Sequence, residues 1–408
     1  MSHEVDVVVV GGGPAGLAAA TRLRERGVAR VLVIEREAQA GGVPRHCVHP
    51  GFGLRDLHRS FSGPRYAGEL VRRALVHGVE ILTSATVTDV DAAGVSLTSM
   101  SGTRRIDARA IVVATGARER PRAARHVAGD RPAGIFTTGQ LQQWTYVEKL
   151  PVGRRALVVG AEHVSFSALM TLRHAGVATV AMATELAHHQ SVGGAGLFAR
   201  AYARAPLHTS TRVLEIRGRR RVESVVLEHV HSGRTWVETV DTVVFTGDWI
   251  PDHELVRRGG VVMDPGTLGP SSDAAGRTSI ETLYAAGNLM HPVESADVAA
   301  RGAREVADAV AAELVHRPGG TQPWVTLRCE GPLQWIWPNR IMEGHTPPLL
   351  RVRTKDFTAA RTLEAVSVEG RVAVSDTLRR TTPHRSLRAP HGIVTALGHG
   401  GIEIVRLV

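Results

Sequence analysis

The stretch Val5–Gly27, VDVVVVGGGPAGLAAATRLRERG, constrains this chain more than any other. Its near-continuous valine run predicts a strand covered on both faces (Val5–Val10), as in a parallel sheet flanked by helices. Gly11-Gly12-Gly13-Pro14-Ala15-Gly16 follows and satisfies G-x-G-x-x-G, and an alanine- and leucine-rich helix runs on to Gly27. The pattern is informative only between a strand and a helix, and here it has both. Gly11 permits the tight turn, Gly13 lets a pyrophosphate approach the backbone, and Gly16 lets helix and strand pack closely. The unpaired N–H groups of the helix start favour an anion at that place. A second apolar strand, Val31–Ile34, ends in Glu35, nineteen residues past Gly16. A carboxylate there would accept from both hydroxyls of an adenosine ribose and repel a 2′-phosphate.

The rest of the chain repeats this theme. A helical pattern over Tyr66–His77 stops at Gly78, and VEILTSATVTDV then reads as a strand with a hairpin partner, VSLTSM. RAIVVA (Arg109–Ala114) is a buried return strand running into Thr115-Gly116. Beyond a proline- and glycine-containing stretch, Ala156–Val159 is a strand, Gly160 opens a turn, Ser165–His174 is helical and Val177–Ala183 is the next strand. A hairpin (Val213–Glu228) and the strand Thr242–Thr246, ending at Gly247, complete a second round. The order βαβ, hairpin, strand-Thr-Gly thus occurs twice, an internal repeat of a whole nucleotide-binding domain. Leu283–Ala286 and a long helix near Glu294–Leu314 have no repeat partner of their own and complete the first domain.

The expected fold is therefore α/β: two Rossmann-like three-layer domains with β-hairpin insertions, the second inserted in the first, plus a small all-β C-terminal domain. Its expected divisions are 1–125, a linker at 126–150, the inserted domain at 151–270, the return to the first domain at 271–318, and the β domain at 319–408. In that last part the runs LLRVRT, LEAVSV, RVAVSDT, GIVTAL and IEIVRLV all read as strands.

Composition excludes several function classes. The formal charge of +10 invites a nucleic-acid reading, but aromatics make up only 4%, so stacking platforms are scarce. The densest basic cluster, Arg217–Arg221, lies between two alternating runs and reads as a hairpin turn. No apolar run is long enough to span a membrane. The chain enters its first strand within a few residues, so no signal peptide is expected. Two cysteines, Cys47 and Cys329, cannot build a disulfide framework, so a reducing cytoplasm is the expected compartment.

The first motif, Glu35-Arg36, the run VVATG (Val112–Gly116) and the run LYAAGN (Leu283–Asn288) together resemble the two-dinucleotide-binding flavoproteins of the pyridine nucleotide–disulfide reductase superfamily. The resemblance covers roughly Val5–Leu314. Within that group, GGVPRHCVHPGFG (Gly41–Gly53) looks most like the flavoprotein subunits of heteromeric dehydrogenases acting on opines, proline or glycine, the last in hydrogen cyanide synthases. The resemblance implies FAD. Gly11, Gly13, Pro14, Ala15 and Gly16 would hold its pyrophosphate, Glu35 its adenosine ribose, and Arg36 would lie near the adenine. Gly42 would pass under the flavin side, the backbone of Val87 would meet the adenine, and Ala114-Thr115-Gly116 would close the site. Gly287 and Asn288 would reach the ribityl chain; the family's usual residue at the latter position is an aspartate. The helix start near Pro292–Ser295 would turn its positive end to the flavin pyrimidine.

The second nucleotide site departs from the pattern. Gly160-Ala161-Glu162-His163-Val164-Ser165 keeps the first glycine and a small last residue, but Glu162 replaces the middle glycine. A carboxylate there would be repelled by a pyrophosphate unless it turns away or is neutralised. Glu185, twenty residues past Ser165, stands at the ribose-acid position and favours NAD(H), with Gly247 at the closing strand end. A working NAD(H) site and a domain kept for structure or for docking a partner both remain open.

No C-x-x-C or C-x4-C pair follows Gly42, so disulfide reduction is not expected. Cys47, flanked by His46 and His49, is a candidate catalytic thiolate or substrate contact, with a packing role equally open. No further ligand cluster accompanies these residues, so no metal is expected. Some relatives carry a cysteine-ligated two-iron cluster; Cys329 alone cannot hold one, and a partner would have to supply it. The leading reading is an FAD-dependent oxidoreductase exchanging a hydride with NAD(H), coupled to a small amino-acid or amine-type substrate or to a second dehydrogenase or iron–sulfur subunit. The alternatives are an electron-transfer or scaffold subunit with a degenerate nicotinamide site, and an oxygen-using oxidase or monooxygenase. The C-terminal domain could dock a partner or form a homo-oligomer face.

Overall fold

A computed structural model describes residues 5–191, 201–202, 204–316, 323–383, 385–398 and 400–408. The chain divides into two compact units. One comprises Met1–Arg45, Pro50–Ala117 and Pro251–Val408; the other comprises His46–His49 and Arg118–Ile250.

In the first unit, β1 (Val5–Val10) lies at the centre of a parallel sheet. It pairs with β2 (Val31–Ile34) in register Val7↔Val31 to Val10↔Ile34, and with Gly102–Val113 in register Val5↔Ala108 to Val10↔Val113. Glu80–Leu82 extends the sheet beyond β2, and Leu283–Ala285 extends it beyond Val113. Alternation along β1 sends its side chains to two cores. Val7 and Val9 pack with Leu17 and Leu23 of α1 (Pro14–Glu25) and with the helix Ala296–Val315. Val8 and Val10 pack with Leu97 and Ile106 of an antiparallel meander, and with Trp335 and Trp337 from the C-terminal part. Burial at each such position stabilises by roughly 1.5–3 kcal/mol. The strand Gly102–Val113 is shared: its first half closes the meander with Gly94–Ser99 and Ala85–Val90, and its second half joins the parallel sheet.

The second unit repeats the plan. Its parallel sheet runs Ile135–Thr137, Thr242–Phe245, Arg155–Val159, Ala178–Ala183, Leu207–His208, and a meander (Thr211–Arg217, Ser224–His229, Thr235–Thr239) follows the same βαβ start. Arg217–Arg221 turns one corner of that meander, as its spacing predicts.

Three local expectations change. VEILTSATVTDV is two strands, Glu80–Leu82 and Ala85–Val90, parted at Ser84, whose φ is +53°. The proposed linker holds a strand of the second sheet, Ile135–Thr137, and the short helix Thr138–Gln142. GIVTAL is not a strand but part of the helix His391–Leu397: Pro390 precedes its first turn, and Ile393, Val394, Ala396 and Leu397 are buried at helical spacing. The C-terminal part is thus β-rich with one helix, built on the sheets Arg328–Glu330/Ile402–Leu407/Arg361–Ser367/Val372–Leu378 and Leu333–Trp337/Arg351–Thr354/Leu387–Arg388.

Candidate functional site

In the first unit the chain leaves β1 at Gly11, whose N–H donates to Ile34 O (2.9 Å) and whose φ of +105° suits glycine. A Cβ on Gly16 would fall 1.9 Å from Gly11 O, so only glycine lets α1 lie this close to the turn. A Cβ on Gly13 would meet nothing nearer than Gly42 Cα, 3.9 Å away, whereas one on Gly42 would fall 2.8 Å from Gly13 Cα. No side chain caps α1, which starts at Pro14. The result is an open cradle of backbone over a helix N-terminus, and it fits a pyrophosphate.

Glu35 is buried at the end of β2. Its Oε2 accepts from Gly12 N (2.8 Å) and its Oε1 from Glu37 N (2.9 Å), which holds the carboxylate beside the glycine turn. Arg36 is exposed, with Nη1 3.3 Å from Asp252 Oδ2. Thr115 Oγ1 donates to Asp252 O (2.8 Å), and Ala114 N donates to Val10 O (2.8 Å), so the VVATG run closes over the end of β1; Gly116 has φ +79°. Val87 is half-buried on the meander. Gly287, with φ +69°, lies against Ala15: a Cβ on it would be 2.6 Å from Ala15 Cβ.

Asn288 is engaged by the chain itself. Its Nδ2 donates to Glu294 O (3.1 Å) and its Oδ1 accepts from Glu294 N (2.8 Å), so its amide braces the 288–294 loop at both ends. That loop also carries His291, fully enclosed between Trp335 and Trp337 (ring centroids 5.2 and 4.8 Å). Burial, with the Arg351 and Arg353 charges, pushes His291 down to about 3, so it is neutral at physiological pH. Arg351 pairs with Glu294 (3.4 Å), and Arg353 lies 4.8 Å over the Trp335 ring. The C-terminal part therefore buttresses the segment that precedes the helix Ala296–Val315. The aromatic residues Trp335 and Trp337 are packing residues there.

Sequence reasoning missed Asp297. Buried in the first turn of that helix, it accepts from Gly53 N (2.8 Å) and Arg55 N (3.0 Å), tying the 53–55 loop to the helix start. An acidic residue in a first helical turn was the available signal.

In the second unit the corresponding turn is built from the same backbone bonds. Gly160 N donates to Ala183 O (2.8 Å), as Gly11 N does to Ile34 O; Gln190 N donates to Ala161 O (3.0 Å), as Gly41 N does to Gly12 O (2.7 Å). This register makes Thr184 the counterpart of Glu35, with Glu185 one residue further along and exposed. Ser165 is fully buried, and its hydroxyl lies 2.7 Å from Thr246 Oγ1. Glu162 does not turn away from the loop. Its Oε2 accepts from Ala161 N (3.0 Å), and its carboxyl lies over Gly160 and Gly247.

Cys47 belongs to this unit. Its buried thiol donates to Gln142 Oε1 (3.2 Å), and Gln142 Nε2 in turn donates to Ser167 Oγ (2.7 Å). Burial, reinforced by the nearby Glu119 charge, pushes the thiol up to about 12. That direction favours the protonated thiol over the thiolate at neutral pH. Glu119, also missed from sequence, is buried and accepts from Gly139 N (2.9 Å) and Gly247 N (3.2 Å). Burial, with a smaller contribution from Glu162, raises it to about 7.

Among the described residues no helix is long and apolar enough to cross a membrane. Comparison with known proteins places these observations in a family. An opine oxidase component of Agrobacterium tumefaciens (strain Ach5) is 26% identical over 344 residues, 76% of this chain and 65% of the relative. A thiamine thiazole synthase of Aeropyrum pernix is 38% identical over 111 residues, 21% of this chain and 38% of the relative. The chain thus spans less than two thirds of the length of these curated relatives. Among solved structures, T. acidophilum thioredoxin reductase matches with a TM-score of 0.63 at 18% identity, over 76% of this chain and 98% of that one. An NAD-dependent persulfide reductase from A. fulgidus matches with a TM-score of 0.58 at 18% identity, over 91% of this chain and 70% of that one. These structural likenesses concern the fold. The family model described as pyridine nucleotide-disulphide oxidoreductase, whose relatives use FAD and NAD(P)H, matches residues 5–303. With the repeated strand–glycine turn–helix plan and the open first cradle, that match makes this chain a member of the pyridine nucleotide-disulphide oxidoreductase family.

Proposed function

We propose that the chain is an FAD-dependent oxidoreductase that exchanges a hydride between flavin and NAD(H), coupled to a small amino-acid or amine-type substrate or to a partner subunit. The observation that carries this reading is the first loop: backbone over an uncapped helix start, with the space beside Gly13 clear and Glu35 beside the turn. FAD held there supplies the redox chemistry, taking up or giving back two electrons. The chain's residues supply position and field. Gly11, Gly13, Pro14, Ala15 and Gly16 present backbone to the pyrophosphate, and Glu35 faces the adenosine ribose. Arg36, Gly42, Val87, Ala114, Thr115, Gly116 and Gly287 line the remaining approach. Asn288 acts at one remove by bracing the 288–294 loop, and Asp297 by tying down the 53–55 loop.

The amine-type substrate and the partner subunit rest on the opine oxidase relatives, each named as one subunit of that oxidase. Disulfide reduction does not suit this chain, because Cys47 has no cysteine near it in sequence and its thiol stays protonated. A second reading, an FAD-binding electron-transfer subunit without nicotinamide turnover, is favoured by Glu162 lying over its own loop. Anaerobic addition of NADH or NADPH to the purified yellow protein tests both. Bleaching supports hydride exchange. A flavin that dithionite reduces and neither nucleotide does would leave the second reading.

A further inference from the structure

We infer that Glu162 sets the affinity of the second loop for pyridine nucleotides, because its carboxylate takes the place that a nucleotide's pyrophosphate would occupy. The inference deepens the hydride-exchange reading and rests on it. In a loop of this build the anion lies over the glycine turn at the helix N-terminus. Glu162 is the N-cap position of the helix His163–His174, and its side chain folds back over that turn. Oε2 accepts from Ala161 N at 3.0 Å. Oε1 would be 2.4 Å from a Cβ placed on Gly247, and both oxygens would be within 3.0 Å of one placed on Gly160. The absence of side chains at Gly160 and Gly247 thus makes room for this carboxyl group. At the matching position of the first loop, Gly13 leaves that space clear.

Two further observations point the same way. Glu162 Oε1 is shielded from solvent and, among the described residues, has no hydrogen-bond partner. The carboxyl is therefore held by its tether and one backbone bond rather than by a full set of donors, as befits a group that another anion can displace. Behind Gly247 stands the second carboxyl, Glu119, bonded to Gly247 N. Arg125 is a cation nearby, and its guanidinium donates to Thr246 O (2.9 Å) and Gly247 O (2.8 Å). A pyrophosphate entering this loop must break the Ala161 N–H bond to Glu162 and then lie beside a like charge. The ribose end offers little compensation, since Thr184 stands where the first loop has Glu35.

The test is equilibrium binding of NADH and NADPH to the FAD-loaded full chain, by calorimetry or nucleotide fluorescence, for wild type, Glu162→Gly and Glu162→Gln. Glu162→Gly should tighten binding by about tenfold or more, equivalent to about 1.4 kcal/mol. Glu162→Gln, which keeps the bulk and loses the charge, should fall between. FAD content and thermal melting report whether each variant is folded, and Gln serves if Gly loosens the helix start. Equal affinities for wild type and both folded variants would overturn the inference, and if the flavin still bleached, hydride exchange would stand. Tighter binding without bleaching in any variant would uphold the inference and sink hydride exchange. Binding to none of the three would sink both.

Discussion

The two glycine turns share one backbone and differ in what lies over it. Both leave a central parallel strand, both donate from their first glycine to the end of the neighbouring strand, and both open an uncapped helix. Over the first turn lies open space bounded by Gly42; over the second lies the carboxyl of Glu162. Repeating a fold therefore does not repeat a site. Backbone hydrogen bonds and core packing specify the turn, whereas a single side chain decides which anion it receives.

Transplanting the difference gives the largest expected effect. Gly13→Glu should copy the second loop into the first and abolish FAD binding, a loss of about 100-fold or more when a carboxylate faces the pyrophosphate. The purified variant should be colourless, and retention of stoichiometric flavin would show that the comparison is wrong. Gly16→Ala comes next. Its Cβ would press on Gly11 O, and overpacking of this kind costs about 3 kcal/mol. Ser165→Gly, at the matching place, loses only the hydroxyl contact with Thr246 and should cost about 1 kcal/mol. Chemical denaturation with each unit's signal resolved measures both, and equal costs would contradict the close-approach argument.

A smaller effect distinguishes the two loops by pH. Glu119 is raised from 4.5 to about 7 in the folded chain, so folding binds a proton between those values. Its contribution to stability is full below about pH 4.5 and is lost as the pH rises through about 7. Glu119→Gln should remove that slope, shifting the difference from wild type in the variant's favour by about 2 kcal/mol between pH 4.5 and 8. Parallel stability curves for the two proteins would show that Glu119 titrates normally. The smallest change is Asp297→Asn, which removes the charge from two backbone bonds and should cost about 1 kcal/mol, read as faster amide exchange at Gly53 and Arg55.

Much of the first unit was legible because its signals are local. The valine run, the glycine spacing, Gly78 after the second helix and the strand-Thr-Gly endings each act within a few residues. Where the reading failed, distant residues had decided. GIVTAL alternates well enough for a strand, yet its apolar residues bury as a helix against the C-terminal core. Cys47 stands beside two histidines in sequence, an activating neighbourhood, but in the fold it is buried near the Glu119 charge, and both raise its thiol.

From sequence alone, then, this chain is a double Rossmann-like α/β protein with one intact glycine turn, because strand, turn and helix are set by short-range sterics and periodicity. That the second turn departs from the first is also written there, in the one letter at position 162. Only the tertiary structure decided which way that side chain points. Gly160 and Gly247 lie far apart in sequence, and only the pairing of Arg155–Val159 with Thr242–Phe245 brings them together around the carboxyl.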